Sequence, residues 1–477
     1  MFSREGFLND AFLRWFPYEP TPCQYSLLSK VASFLTSDDG DILVVNGYAG
    51  TGKTAAIASV INAMEELEVK CVLLAPTGRS AKVLSSYAGR PASTIHKHIY
   101  RQKSFGSDGF GQFSLMPNKA KNTLFIVDEV SLIGIEAGEK GAAFGSGNLL
   151  EDLVAFVRNG ADCRLILVGD DAQLPPVGLD ASPALSREYM SAFGGVSFAT
   201  LTSVVRQEAG SGILGNATRL REILSGGEET CALDDLGLVT GDYPDVESIK
   251  GGELLDALAD AYGKYGEDEV MVLCRSNKRA VRYNAGIRAQ VQYREEQLVR
   301  GDKLMVVKNH YLEGLEGTDY IANGDIVRLM RIRHFEERYG LHFADATLAL
   351  PDYGNQEVTS KVLLDTLSSE SASLTYEQAN SLYQGVWADY AHLTTKKKRY
   401  EAVREDPFYN AIQLKYASAI PCHKAQGGQW AHVYIDQGYM TDDMLTPDYL
   451  HWLYTALTRA TEKVFLVNWP DAQTAPN

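Results

Sequence analysis

The chain has 477 residues, 45% hydrophobic and 22% charged, more than one ordinary core holds, so two to four domains are expected. Its net charge of −16 argues against a surface that is basic throughout, although binding to nucleic acid depends on local charge in a groove. No apolar run approaches the ~20 residues that cross a bilayer, Glu5, Asp10 and Arg14 keep the N-terminus from reading as a signal peptide, and six cysteines without a C-x-x-C pair fit neither a zinc site nor a disulfide framework; a cytoplasmic protein with reduced thiols and no membrane contact is expected.

From the N-terminus, short apolar runs at 42–46, 71–75, 123–127 and 164–168 alternate with helical stretches. Their unbroken apolar character is that of parallel strands buried on both faces. The first run opens into GYAGTGKT at 47–54, which fits G-x-x-x-x-G-K-[ST] in the strand-then-helix context that the pattern requires. Gly47, Gly50 and Gly52 let backbone amides, that of Thr51 among them, turn inward around phosphate oxygens at a helix N-terminus. Lys53 is then expected at the β and γ phosphates and Thr54 on Mg²⁺, making ATP and Mg²⁺ the expected cofactors.

The stretch at about 97–121 has turn residues flanked by aromatics and predicts a β-hairpin. Phe113, with Phe110 beside it, is an aromatic candidate for stacking on a planar partner; anchoring of the hairpin to its own domain is the equal alternative. The run 123–127 ends in Asp128 and Glu129, suited to the outer shell of Mg²⁺ and to a base that positions water; a pair of helix N-caps is the plain alternative. Residues 167–177, LVGDDAQLPPV, carry Gln173, a candidate γ-phosphate sensor, where a simple turn is the alternative. Arg206 and Arg459 are candidate transition-state fingers, although by sequence physics alone each reads as a surface or ion-paired arginine.

A glycine- and acid-rich stretch at 225–229 and 241–245 marks a boundary. A second set of runs follows at 270–274, 432–435 and 464–468, with helices near Asn277–Gln290 and 449–457. The expected domains are 1–225; 226–300 with 411–477; and an insert at 301–410. In the insert, short strands around Asn323, Gly324 and Asp325 suggest a small β-barrel, and 366–404 reads as helical and polar. The basic run at 396–399 has a solvated helix face as its default reading.

In their order these motifs resemble those of superfamily 1 helicases of the 5′-to-3′ branch, the Dda-like and RecD-like proteins, from Gln24 to about Val464. The resemblance implies an α/β fold of two RecA-like parallel-sheet domains, with a β-hairpin inserted in the first and an SH3-like β-barrel plus helical insert in the second. It implies that Gln24 reads adenine, that Gln426 and Gly427 link nucleotide state to grip, and that Arg206 and Arg459 are fingers. It also implies that Pro76, Thr77, Arg79, His96, His423 and Lys424 touch a DNA strand, and that the hairpin is a pin whose Phe113 or Phe110 stacks on the last base pair of a duplex. Three positions depart from the family pattern: Asp171 stands where proline is frequent, Gln429 where an acid is, and Pro421 where a threonine is, so that a backbone donor and a hydroxyl are missing there. The activity implied is ATP-dependent 5′-to-3′ unwinding by a monomeric motor on single-stranded and forked duplex DNA, with a single-strand-binding or replication protein as a candidate partner. The alternative is a DNA-stimulated translocase that removes proteins or remodels DNA with little unwinding.

Overall fold

The computed structural model describes residues 4–105, 111–135, 145–203, 210–226, 236–240, 243–311 and 320–474. In the first domain six parallel strands lie in the order Ala92–Thr94, Lys70–Ala75, Thr123–Val127, Arg164–Gly169, Ile42–Gly47 and Val196–Leu201. Side chains alternate across a strand, so Ile42 and Val44 enter one core with Phe125 and Leu165, while Leu43 and Val45 enter the opposite core with Ile57 and Leu28. Both faces are covered, and strand Thr123–Val127 is buried at every position. This order sets the carboxyl ends of strands Ile42–Gly47, Thr123–Val127 and Arg164–Gly169 at one edge, where ligands of open α/β sheets bind.

The second domain repeats the plan with five parallel strands, in the order Ala419–Pro421, Val270–Cys274, Trp430–Asp436, Ala460–Val467 and Val246–Ile249. The four strands that the sequence did not mark, Ala92–Thr94, Val196–Leu201, Val246–Ile249 and Ala419–Pro421, are the outer strands of the two sheets. An outer strand is short or covered on one side only and needs no continuous apolar run; Val246–Ile249 buries only its first and last residues.

The insert closes as a five-stranded barrel of Lys303–Val306, Ile326–Arg338, Leu341–Leu350, Gln356–Leu363 and Ile412–Tyr416. Its last strand lies past residue 410, so the chain returns to the second domain later than the sequence suggested. The polar segment forms helices Tyr376–Asp389 and Lys396–Glu405, and in the basic run Arg399 lies 4.3 Å over the Trp387 ring. The barrel is tied to the second domain by Asp302, which is 0% exposed and accepts from Arg288, from Arg294 at 2.9 Å and from the Val299 amide at 2.9 Å. The expected hairpin is present as antiparallel strands Tyr100–Phe105 and Gly111–Leu115. Among the described residues no helix is long and apolar enough to cross a membrane.

Candidate nucleotide cleft and strand track

Strand Ile42–Gly47 runs directly into the phosphate loop. Gly50 and Gly52 have φ of 74° and 79°, a left-handed backbone that glycine adopts without strain. Lys53 opens helix Lys53–Glu66; its ammonium donates to the Gly47 carbonyl and lies 3.5 Å from Asp170 Oδ2. Thr54 is exposed in the helix's first turn. Thr51 is fully buried, its hydroxyl donating to Tyr48 O at 2.7 Å and its carbonyl accepting from Gln24 Nε2 at 2.9 Å. Gln24 Oε1 in turn accepts from the Thr21 amide at 2.9 Å, completing a capping box on helix Pro22–Thr36. Both ends of the Gln24 amide thus serve the backbone, and it braces the phosphate loop rather than standing free to read a base.

Asp128 and Glu129 follow the buried strand Thr123–Val127. Asp128 accepts from Tyr87 Oη at 2.7 Å and from the Glu129 amide at 2.8 Å. Glu129 has φ of 55°, an unfavourable backbone for a residue with a side chain. Desolvation in the cleft raises the pKa of both carboxyls. Glu129 reaches about 7, with the Asp128 charge adding to desolvation while Arg459 and Lys53 oppose it. Arg459 comes from the second domain and is 4% exposed, held by Nε to Thr455 O at 3.1 Å and by its guanidinium to Gly428 O at 3.3 Å and Thr458 Oγ1 at 3.2 Å. A lysine and two carboxylates of the first domain thus lie within electrostatic reach of an arginine of the second.

The loop after strand Arg164–Gly169 lies in the seam between the domains. Gln173 is 5% exposed, and its buried Oε1 has no partner in the protein, an unfilled hydrogen-bond capacity of the kind that a bound ligand or its water satisfies. Around it the second domain holds the backbone. The Leu174 amide donates to Thr455 Oγ1 at 2.8 Å, Leu174 O accepts from Gln426 Nε2 at 2.8 Å, and Ala172 O lies 2.9 Å from His451 Nδ1. Gln426 is thus spent on the seam. Gly427, at φ 74°, abuts Ser80, whose Oγ a Cβ at this position would meet at 2.4 Å. Both residues thus meet first-domain segments, Gln426 the Gln173 loop and Gly427 the helix Gly78–Ala88.

Thr77 caps helix Gly78–Ala88, accepting from the Ser80 amide at 3.1 Å, with Pro76 ahead of it. Arg79 lies 4.4 Å over the Trp430 ring of the second domain and has a buried Nη1 without a partner; it is an interdomain contact rather than a free charge. Lys82 reaches the barrel at Asp352 and, at 3.3 Å, Pro351 O. His423 is exposed, and Lys424 Nζ donates to Asn323 Oδ1 of the barrel at 3.0 Å. His96 sits 5.7 Å from the Tyr100 ring, and desolvation lowers its pKa, so a neutral imidazole faces any strand there. Segments 76–82 and 422–428 and the barrel turns at 322–325 and 351–353 thus converge, the side chains named here coming from three parts of the chain. Phe113 is half-buried and packs on the first domain's core with Leu115 and Met116, which is the anchoring alternative. Phe110 and Arg206 lie outside the described residues.

Sequence reading gave no role to Tyr87, His451, Tyr454 or Thr455, and none to Asp170 beyond its place in the run at 167–177. Tyr454 and Thr455 stand five and four residues before Arg459, but their partners lie in the other domain, 405 and 281 residues away. No local pattern announces such a contact.

Two family models match: an AAA domain over residues 28–241 and a UvrD-like helicase C-terminal domain over 416–467. The ATP-dependent RecD2 DNA helicase of Deinococcus radiodurans is 28% identical over 94% of this chain and 50% of its own length. The ATP-dependent DNA helicase dda of Enterobacteria phage T4 is 23% identical over 80% of this chain and 88% of its own. The crystal structure of Bacteroides Pif1 bound to ssDNA is 16% identical with a TM-score of 0.48, covering 96% of this chain and 95% of that one. The chain spans about half the length of the RecD2 relative.

Proposed function

We propose, from the premise that the chain belongs to the superfamily 1 helicases of the Pif1, Dda and RecD type, that it is an ATP-driven motor that moves 5′ to 3′ on single-stranded DNA and unwinds duplex ahead of it. The observation that carries this reading is the seam: Tyr454 of the second domain bonds the Ala49 amide of the phosphate loop and Asp170 of the first, in the helix that leads to Arg459, so the nucleotide loop is built against both domains. A site completed by two bodies couples hydrolysis to their opening and closing. The orphaned Gln173 Oε1, the left-handed Gly50 and Gly52 and the Lys53 ammonium fit a magnesium nucleotide. In this reading Lys53 and the loop amides bind its phosphates, Thr54 and Asp128 hold Mg²⁺, and Glu129 orients water. Bound nucleotide supplies the phosphoryl group and Mg²⁺ the charge that offsets its oxygens.

The track in this reading runs over Thr77, His96, His423 and Lys424. Phe113, packed on its own core, favours a second reading, a translocase that displaces proteins with little unwinding. Phe110→Ala discriminates the two: it lowers strand separation per ATP in the first and changes nothing in the second. The primary test is ATP hydrolysis with and without single-stranded DNA. Strong stimulation that Lys53→Ala abolishes is expected; a rate indifferent to DNA would remove both motor readings.

A further inference from the structure

Helix Pro447–Leu457 of the second domain presents His451, Tyr454 and Thr455 at i, i+3 and i+4, the spacing that puts side chains on one helix face. All three hold first-domain groups of the cleft. Tyr454 is 1% exposed; its hydroxyl accepts from the Ala49 amide of the phosphate loop at 2.9 Å and donates to Asp170 Oδ2 at 2.8 Å. Asp170 also faces the Lys53 ammonium at 3.5 Å. Thr455 takes the Leu174 amide at 2.8 Å and His451 meets Ala172 O at 2.9 Å, on either side of Gln173. Two residues beyond the helix stands Arg459, whose guanidinium is tied back to Thr455 and Thr458. Burial raises the Tyr454 pKa well above its ordinary value, so the hydroxyl keeps its proton at working pH.

We infer that Tyr454 is a positioning residue that reports occupancy of the phosphate loop to the helix carrying Arg459, by competing with nucleotide phosphate for the Ala49 amide and the Lys53–Asp170 pair. Inward-facing amides and the loop lysine are the donors that a triphosphate requires. A phosphate oxygen that takes them displaces the tyrosine hydroxyl, and the same helix then moves Thr455, the Gln173 loop and Arg459 together. This rests on the ATP-driven reading above and adds to it the element that transmits the signal.

The test uses the full chain, with calorimetric titration of the magnesium complex of adenylyl imidodiphosphate and ATP turnover with and without oligothymidine. Tyr454→Phe keeps the buried ring and removes the hydroxyl. It is expected to tighten the analogue by roughly two- to tenfold, the size of one exchanged hydrogen bond. It is also expected to lower the ratio of DNA-stimulated to basal kcat several-fold without raising KM for ATP. Thr455→Val is expected to lower the same ratio, and Thr455→Ser, which restores the hydroxyl, to recover it. Unchanged or weaker analogue binding in Tyr454→Phe, or a wild-type stimulation ratio in both Tyr454→Phe and Thr455→Val, overturns the inference while the motor reading stands. A wild-type chain that binds no analogue overturns both.

Discussion

The proposed chemistry of the cleft centres on the Glu129 carboxyl. In that proposed role its proton must be absent for it to orient and deprotonate water, and desolvation beside Asp128 moves that loss up to about pH 7. In the free enzyme kcat/KM is therefore expected to rise with pH through about 7 and level off above it; a pH–rate profile flat from pH 5.5 to 8.5 would exclude Glu129 as the base. The same shift bears on stability. Below its ordinary 4.5 the carboxyl is protonated folded and unfolded alike and contributes nothing. Between 4.5 and 7 the folded state keeps a proton that the unfolded state has lost, so stability falls as pH rises, and above 7 the full cost is present. Glu129→Gln is expected to abolish turnover yet raise stability at pH 8 by on the order of 1–2 kcal/mol, with no gain at pH 4, as thermal unfolding at the two pH values would show. The acid pair was legible in sequence because two carboxylates end an apolar run. Its environment was not, because Tyr87, which donates to Asp128, is 41 residues away and nothing near it in sequence requires the contact.

The interior strands and the helix Asn277–Gln290 were readable because burial on both faces, or a regular amphipathic face, leaves an apolar period. The outer strands were not, since one exposed side relaxes that demand. The barrel shows the same division: its turn at Asn323, Gly324 and Asp325 was visible, but its fifth strand, Ile412–Tyr416, is five residues of alternating apolar and polar character, too short to announce which sheet it joins. Its junction is held by charge. Asp302 compensates two guanidiniums, and the Arg288 side chain is only 7% exposed. Removing one partner of a buried pair costs more than the pair itself contributes, because a charge is left without an opposite. Asp302→Ala is expected to destabilise the chain by about 3–5 kcal/mol in urea unfolding. Arg14→Ala, which breaks an exposed pair with Glu66, is expected to cost under ~1 kcal/mol. Equal losses for the two would show that the Asp302 junction carries no particular load.

At the scale of the whole molecule, the proposed function has a chain of net charge −16 meeting a polyanion, so its hold on DNA would rest on local cations. The structure sorts those that the sequence proposed. Lys424 stands beside exposed His423 and shares its ammonium with Asn323, so two of its three protons remain for a phosphate. Arg79 is stacked on Trp430 between the domains, where its charge serves closure. For single strands each neutralised phosphate adds roughly 0.7 to the slope of log affinity against log salt. Lys424→Ala is expected to lower that slope by about 0.7 and to weaken binding alike for every DNA sequence. Arg79→Ala is expected to leave the slope unchanged and instead reduce DNA-stimulated hydrolysis, because the arginine it removes joins the domains rather than gripping the track. Titrations of a fluorescent oligothymidine at four salt concentrations decide between the two roles. A slope that falls as far for Arg79→Ala as for Lys424→Ala would return Arg79 to the strand and leave the Trp430 stack as packing alone.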